Sequence, residues 1–394
     1  MISPGLLKSA TASLVLLLAA CTSSSSKTRG GTGGAGGASV SGGVSGGTGA
    51  GDAGLGGTTT GGTSGAGGVA GGSSGAGGVG GAPQKVGDID ISIPHRFAVT
   101  DKYAFVSGTR LSDPKGGALN RLALSDGTLA TWSDAAADLW GVAADESDAY
   151  AADFGQGNLL STQTFAALTP AVASVTGTPY LVALDASHVY YDDQSGSKSR
   201  LFRKSRGAGG PEEIAFNVPH AWTMKVHGSD LFLTRYDSSQ LYKIPTAATE
   251  PANAPFPLAT LNHGSGAKGL AVNLDDVYVA TREDSCSNGI GTHESAIFKV
   301  DRAFGTTTQI RAKEPIGITG LALHGANIYY SVVGDCGQEG TGKVMRFTPG
   351  QGAPVEVASK QAAPVDIAVH NNVLYWLNAG TSADFGAVMR LPLK

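Results

Sequence analysis

Leu321-Ala322-Leu323-His324-Gly325-Ala326-Asn327-Ile328-Tyr329-Tyr330 places two short apolar runs on either side of a polar turn. Small and aliphatic residues fill the first run, and a β-branched residue with two aromatics fills the second. Runs of this length and composition, punctuated by Gly and Asn, read as a pair of antiparallel strands. The pattern occurs six more times. Upstream it appears as Phe97-Ala98-Val99 with Tyr103-Ala104-Phe105, Val142-Ala143-Ala144 with Ala149-Tyr150-Ala151, and Val182-Ala183-Leu184 with Val189-Tyr190-Tyr191. It continues as Met224-Lys225-Val226 with Leu231-Phe232-Leu233, Leu270-Ala271-Val272 with Val277-Tyr278-Val279, and Ile367-Ala368-Val369 with Leu374-Tyr375-Trp376. An aromatic marker thus falls at 105, 150, 190, 232, 278, 329 and 375, a spacing of about 40–51 residues.

A third strand follows each pair, as in Ser295-Ala296-Ile297-Phe298-Lys299-Val300 and Gly342-Lys343-Val344-Met345-Arg346-Phe347. A fourth closes most copies, as at Thr128–Trp132, Glu213–Phe216 and Pro354–Ala358. Four short strands per period of this length make a β-propeller blade. The expected fold is all-β: one seven-bladed β-propeller with four antiparallel strands per blade. The seventh copy reaches Lys394 with three strands. Asp88-Ile89-Asp90-Ile91-Ser92-Ile93 alternates with period two and is expected to supply the fourth, closing the ring over residues 88–93 and removing exposed sheet edges. The column Ala98, Ala143, Ala183, Ala271, Ala322, Ala368 suits innermost strands crowding at a hub, and Lys225 breaks it. Motifs such as Tyr329-Tyr330 followed by Gly342–Arg346 resemble bacterial six- to eight-bladed propellers of the YWTD/NHL type over about residues 88–394. That resemblance implies the fold and leaves function open.

Residues 1–20 carry a single charge, Lys8, and the run Leu14-Val15-Leu16-Leu17-Leu18. The run is too short for a bilayer span, which needs about 20 apolar residues, and has the length of a signal-peptide core. It leads into Leu18-Ala19-Ala20-Cys21, which resembles the lipobox of bacterial lipoproteins. The resemblance implies that Cys21 becomes the lipidated N-terminus and anchors the chain to a membrane of the cell envelope, outer membrane or cell surface. Residues 21–87 are nearly all Gly, Ser, Thr, Ala and Val, without aromatics, and cannot bury enough apolar surface to offset ordering. They read as a disordered tether with an r.m.s. reach of about 45 Å. The domain expectation is therefore signal peptide 1–20, tether 21–87 and propeller 88–394.

Export permits disulfides. Cys286 and Cys336 fall eight and seven residues after their aromatic markers in adjacent copies, so both belong to second-to-third-strand loops on one face. A disulfide is expected between them; a metal site lacks further ligands, since His293 alone is insufficient. The residues entering the first strands converge on the same face around the channel: His95, Trp140, Tyr180, Trp222 and Lys268, then Thr319 and Val365. Aromatics, a His and a Lys at one mouth can stack on a sugar or grip an anionic group; the other reading is that the rings plug the channel. Loop carboxylates Asp153, Asp192, Asp193, Asp237, Glu283, Asp284 and Asp335 suit Ca²⁺ chemically, yet no run has calcium-loop spacing, so they read as solvated turn residues and no cofactor is expected. The third-strand bases Arg121, Arg203, Lys243, Lys299, Arg346 and Arg390 read as structural partners.

A net charge of −4 without a basic stripe excludes nucleic acid as an expected partner. No nucleophile elbow, zincin motif or dinucleotide fingerprint occurs in the folded part, and no catalytic residue is assigned. The expectation is a monomeric, non-enzymatic binding or scaffold lipoprotein whose ligand is a glycan, peptide or protein. The alternative is a metal-assisted hydrolase or lactonase at the channel mouth, which requires several loop carboxylates to converge there with His95 or His220. A third reading, a scaffold subunit of an envelope complex, requires a large exposed apolar patch.

Overall fold

The computed structural model describes residues 81–110, 116–134, 138–163, 169–172, 177–235, 237–263, 266–284, 293–335, 340–380 and 385–394. Cys21, Cys286, Cys336, the apolar run and most of the tether lie outside the described residues. Among the described residues every regular element is a strand, and the strands form seven sheets, six of four strands and one of five. The extra strand is the pair Ala252–Asn253, which runs parallel to Pro211–Val218 at the outer edge of the third blade.

The innermost strands are Ile91–Val99, Leu139–Ala144, Val182–Leu184, Ala221–His227, Ala267–Val272, Ile318–His324 and Pro364–His370. Each touches the innermost strands of the blades on either side, and the last touches the first. This is a closed seven-bladed propeller. The second strands, which carry the aromatic markers, are Tyr103–Arg110, Asp148–Asp153, His188–Ser195, Asp230–Arg235, Asp276–Asp284, Asn327–Val332 and Val373–Asn378.

The apolar core is divided into seven clusters, and each lies between two neighbouring blades. The markers explain why. Phe105 packs with Leu139 and Val142 of the second blade, Tyr190 with Ala221 and Met224 of the fourth, and Tyr329 with Ile367 and Trp376 of the seventh. A large ring on the second strand of each blade thus fills the wedge before the next blade. The alanine column lies directly across the ladder from these rings, Ala98 opposite Phe105 and Ala368 opposite Tyr375, where a small residue leaves the ring its space. No blade buries its apolar face alone.

Closure is made by an N-terminal strand, as expected, but by a different one. Gln84–Asp88 pairs antiparallel with Ala387–Pro392, in the register Gln84 with Arg390, Lys85 with Met389, Gly87 with Val388 and Asp88 with Ala387. The expected segment 88–93 instead contributes only its first residue to that strand, and Ile91 already begins the innermost strand of the first blade. Residues 84–87, expected in the tether, are therefore part of the propeller. The alternating isoleucines still serve closure: Ile89 and Ile91 are buried in the cluster joining the first blade to Tyr375, Leu377 and Val388 of the seventh.

Truncation separates the two parts of this arrangement. Removing residues up to 83 is expected to leave the melting temperature unchanged, whereas removing residues up to 88 should lower it by several degrees, because the third strand of the seventh blade becomes an open edge. Equal melting curves for the two truncations would refute the assignment of Gln84–Asp88 as the closing strand.

Candidate functional site

The residues at the mouth of the channel share a backbone feature. In the first blade the register with the second strand shifts between Pro94 and Arg96, leaving His95 as an extra residue. The same one-residue bulge leaves out Trp222 in the fourth blade, Lys268 in the fifth, Thr319 in the sixth and Val365 in the seventh. In the second blade the irregularity spans Trp140 and Gly141. A bulge re-aims a side chain that regular pairing would direct between blades. The third blade reaches the same end differently: the buried Asp192 carboxylate accepts the backbone N–H groups of Tyr180 and Leu181 at 2.8 and 2.7 Å.

Buried and half-buried hydroxyls fix this level from blade to blade. Ser107 donates to the Trp140 carbonyl at 2.6 Å, Thr234 to that of Ala267 at 2.8 Å, and Thr319 to that of Pro364 at 2.8 Å. Each bond satisfies a strand-end group that the bulge removes from the ladder.

The structure brings the expected mouth residues together. His95 and Trp140 stack with centroids 3.7 Å apart and planes 16° apart, Trp140 meets Tyr180 at 4.6 Å, and Tyr180 meets Trp222 at 6.3 Å. Phe154, from the loop after the second strand of its blade, lies edge-on to Trp140 and Tyr180 at 6.4 and 6.2 Å. The Lys268 ammonium sits 4.0 Å from the centre of the Trp222 ring. Rings therefore occupy the mouth over the first four blades, and the shorter Thr319 and Val365 stand on the other side. The rings are packed against one another rather than splayed toward solvent, each pair worth about 0.5–1.5 kcal/mol beyond burial.

Arg96 is the member that the sequence did not single out. Its guanidinium donates to its neighbour His95 at the carbonyl, 2.9 Å, and crosses to the fourth blade, where it donates to the Trp222 carbonyl at 2.5 Å and lies 5.0 Å from the Trp222 ring centre. The one signal for it is its place in the column Arg96, Gly141, Leu181, Thr223, Gly269, Gly320, Asp366, where glycine recurs. The glycines leave space for the charged members: a Cβ on Gly320 would stand 3.1 Å from the Asp366 carboxylate.

His95 is 8% exposed, and its Nε2 has no hydrogen-bond partner among the described residues. Asp138 stands 3.9 Å away, and its other oxygen accepts the Trp140 indole N–H at 3.1 Å. Burial, helped by Arg96, holds the His95 imidazole down at about 3, so it is neutral near pH 7. Burial raises the Asp138 carboxyl, against the Trp140 bond, and pushes Asp192 up to about 6. Among the described residues His220 Nε2 also lacks a hydrogen-bond partner.

The loop carboxylates do not form a ligand cluster here: Asp192, which lies at this level, is spent on the Tyr180 and Leu181 amides. Asp153, Asp192 and Asp193 are buried rather than solvated, and the first two serve as acceptors for strand-end amides: Asp153 accepts from Asp138 and Gln156 N–H. Asp237 pairs with Arg235, and Glu283 with Lys313. Among the described residues one group of three potential metal ligands occurs, Asp101, Glu146 and His370, in turns on the opposite face. His370 and Asn371 each bond Asp101 at 2.6 Å, and the Asp101 N–H donates to Glu146, so the group ties the seventh, first and second blades. The third-strand bases are structural: Arg203 pairs with Glu212, Lys243 with Asp230 and Lys299 with Asp276, while Arg121 lies over Tyr103 and Trp132.

No family model and no curated protein matches the chain. Solved structures match its fold. A streptogramin B lyase aligns over 79% of this chain and 97% of its own, with 12% identity and a TM-score of 0.57. A chain of the mitotic checkpoint complex aligns over 79% and 91%, with 11% identity and a TM-score of 0.56. Puromycin hydrolase aligns over 75% of this chain and 51% of its own, with 14% identity and a TM-score of 0.56. At these identities the likeness is one of fold.

The pH dependence of stability follows from the buried groups. Neutral His95 favours the fold fully above its unfolded value of 6.5, and that contribution is lost as the pH falls toward 3. Asp192 acts oppositely, weakening the fold as the pH rises from 3.8 to about 6. Replacing His95 with Phe keeps the stack and removes the first effect. Between pH 6.5 and 4.5 the native chain should lose roughly 2 kcal/mol relative to His95→Phe in urea unfolding; parallel pH profiles would refute a buried neutral imidazole.

Proposed function

We propose that this chain is an exported, lipid-anchored binding propeller of the cell envelope, held by Cys21 on a Gly-rich tether and engaging a glycan, peptide or protein across its mouth face. The observation that carries this reading is the mouth layer itself. Six blades depart from regular pairing at the same level to present His95, Trp140, Trp222, Lys268, Thr319 and Val365, and the buried His95 Nε2 there has no hydrogen-bond partner among the described residues. Core packing alone does not require a bulge at the same level in blade after blade. The metal-assisted hydrolase reading needs carboxylates converging at this mouth, and among the described residues no group of three potential ligands occurs there. The fold is shared by a lyase, a hydrolase and a chain of a protein assembly, so it does not choose between binding and catalysis. The proposed Cys286–Cys336 disulfide would brace two loops of the mouth face, contributing about 4 kcal/mol by loop entropy.

Probing arrays of glycans and envelope peptides with the whole chain tests the reading. Trp222→Ala should reduce binding of any hit at least tenfold. Hits that bind the variant equally well would place the ligand elsewhere, and turnover of a hit would favour the enzyme reading.

One observation favours a scaffold role beside this. Phe256, Leu274 and Phe304 are 91%, 79% and 85% exposed. Leu274 and Phe304 lie in turns of the fifth blade, on the face opposite the mouth. Arg302 bonds the Leu274 carbonyl at 2.9 Å, and the Gly305 turn abuts Leu258, two residues from Phe256. Exposed apolar groups so grouped mark contact surfaces. Cys21→Ser should abolish lipid labelling; if the patch docks an envelope partner, the unlipidated chain remains partly in the envelope fraction and Phe304→Ser releases it. Full release by Cys21→Ser alone would leave the patch without that role.

A further inference from the structure

Behind the mouth rings the innermost strands of all seven blades line an open channel cavity of about 300 Å³. Its lining is small or apolar apart from two threonines and four charged residues, Arg96, Lys225, Lys268 and Asp366. Three cations thus face one carboxylate. Arg96 and Lys268 both lie against the Trp222 ring, which holds two like charges in one place. Asp366 interacts with Arg96 and Lys225, and burial lifts its carboxyl against their influence, so even this counter-charge is weakened.

Lys225 is the informative residue. It occupies the hub column that carries alanine in the other six blades, and no ion pair within 4 Å of its ammonium occurs among the described residues. Packing gives no reason for a lysine there, since alanine fills the position elsewhere in the ring. Lys225 is exposed to the channel, so its ammonium is open to a ligand, and a cation placed beside like charges is favoured by an anion that joins it. Apolar walls also focus the field of the cations on the cavity.

We propose that the channel is a binding site for a small oxyanion, a phosphate or carboxylate group, held by Arg96, Lys225 and Lys268. The proposal deepens the binding reading above by naming the chemistry its channel accepts. The cavity is at the lower end of ligand-site volumes and admits a free anion or one acidic residue of a larger ligand. The Arg96 guanidinium uses two of its five N–H donors on carbonyls, and the remainder suit an oxyanion.

Calorimetry on the whole chain, with inorganic phosphate, glucuronate and glucose as probes, tests this. Phosphate or glucuronate should bind saturably, more weakly as salt rises, and glucose should not bind. Lys225→Ala should bind at least tenfold more weakly, while its melting temperature in anion-free buffer equals or exceeds that of the native chain, because alanine already serves in six blades. Adding the anion should raise the melting temperature of the native chain and leave that of Lys225→Ala unmoved. Binding of phosphate alone identifies a free-ion site, and binding of glucuronate alone identifies a seat for the acidic group of a larger ligand. No saturable binding of either, or equal affinity in Lys225→Ala, overturns the proposal. Array hits that survive Lys225→Ala but not Trp222→Ala would leave the mouth reading standing without it, whereas anion binding without any array hit would do the reverse.

Discussion

The pairing of Gln84–Asp88 with Ala387–Pro392 is the contact on which the remaining architecture depends. A propeller has no central core. Its seven apolar clusters each need two adjacent blades, so every interface is one link of a ring. Opening the ring at the seventh blade would expose a sheet edge and also the cluster of Ile89, Ile91, Tyr375 and Val388. The chain N-terminal to Gln84 therefore enters the folded part at its seam.

Closure also sets the site. Once the innermost strands are held in a circle, a bulge at one level on each of six of them turns six side chains toward a common axis. Rings fill more than half of that circle, and Arg96 reaches from the first blade to the fourth across it. The channel beneath is then walled by aliphatic groups and carries more positive than negative charge. Shape and field both follow from strand ends rather than from long loops.

Much of this was legible in the sequence because repetition supplies its own alignment. Seven aromatic markers, an alanine column and a mouth column could be read from spacing alone. The closing strand was misplaced for a physical reason. Gln84-Lys85-Val86-Gly87-Asp88 is an outermost strand, mostly exposed, and carries no hydrophobic alternation. Asp88–Ile93 alternates because Ile89 and Ile91 enter the interface between the last and first blades. Alternation reports burial, not which edge a strand joins. Arg96 escaped notice because a long side chain can act far from its own blade. Asp153 and Asp192 read as solvated turn residues because nothing local reveals that strand ends leave amides needing acceptors.

Hydrogen exchange of backbone amides tests the ring account most directly. If Gln84–Asp88 closes the propeller, its amides bonded to Ala387–Arg390 should exchange with the same opening free energy as amides in the middle strands of the other blades, because the seam opens only when the ring unfolds. Rapid exchange at 84–88 alongside full protection of the second strands would show a frayed terminus on a ring that holds without it, and would contradict the account.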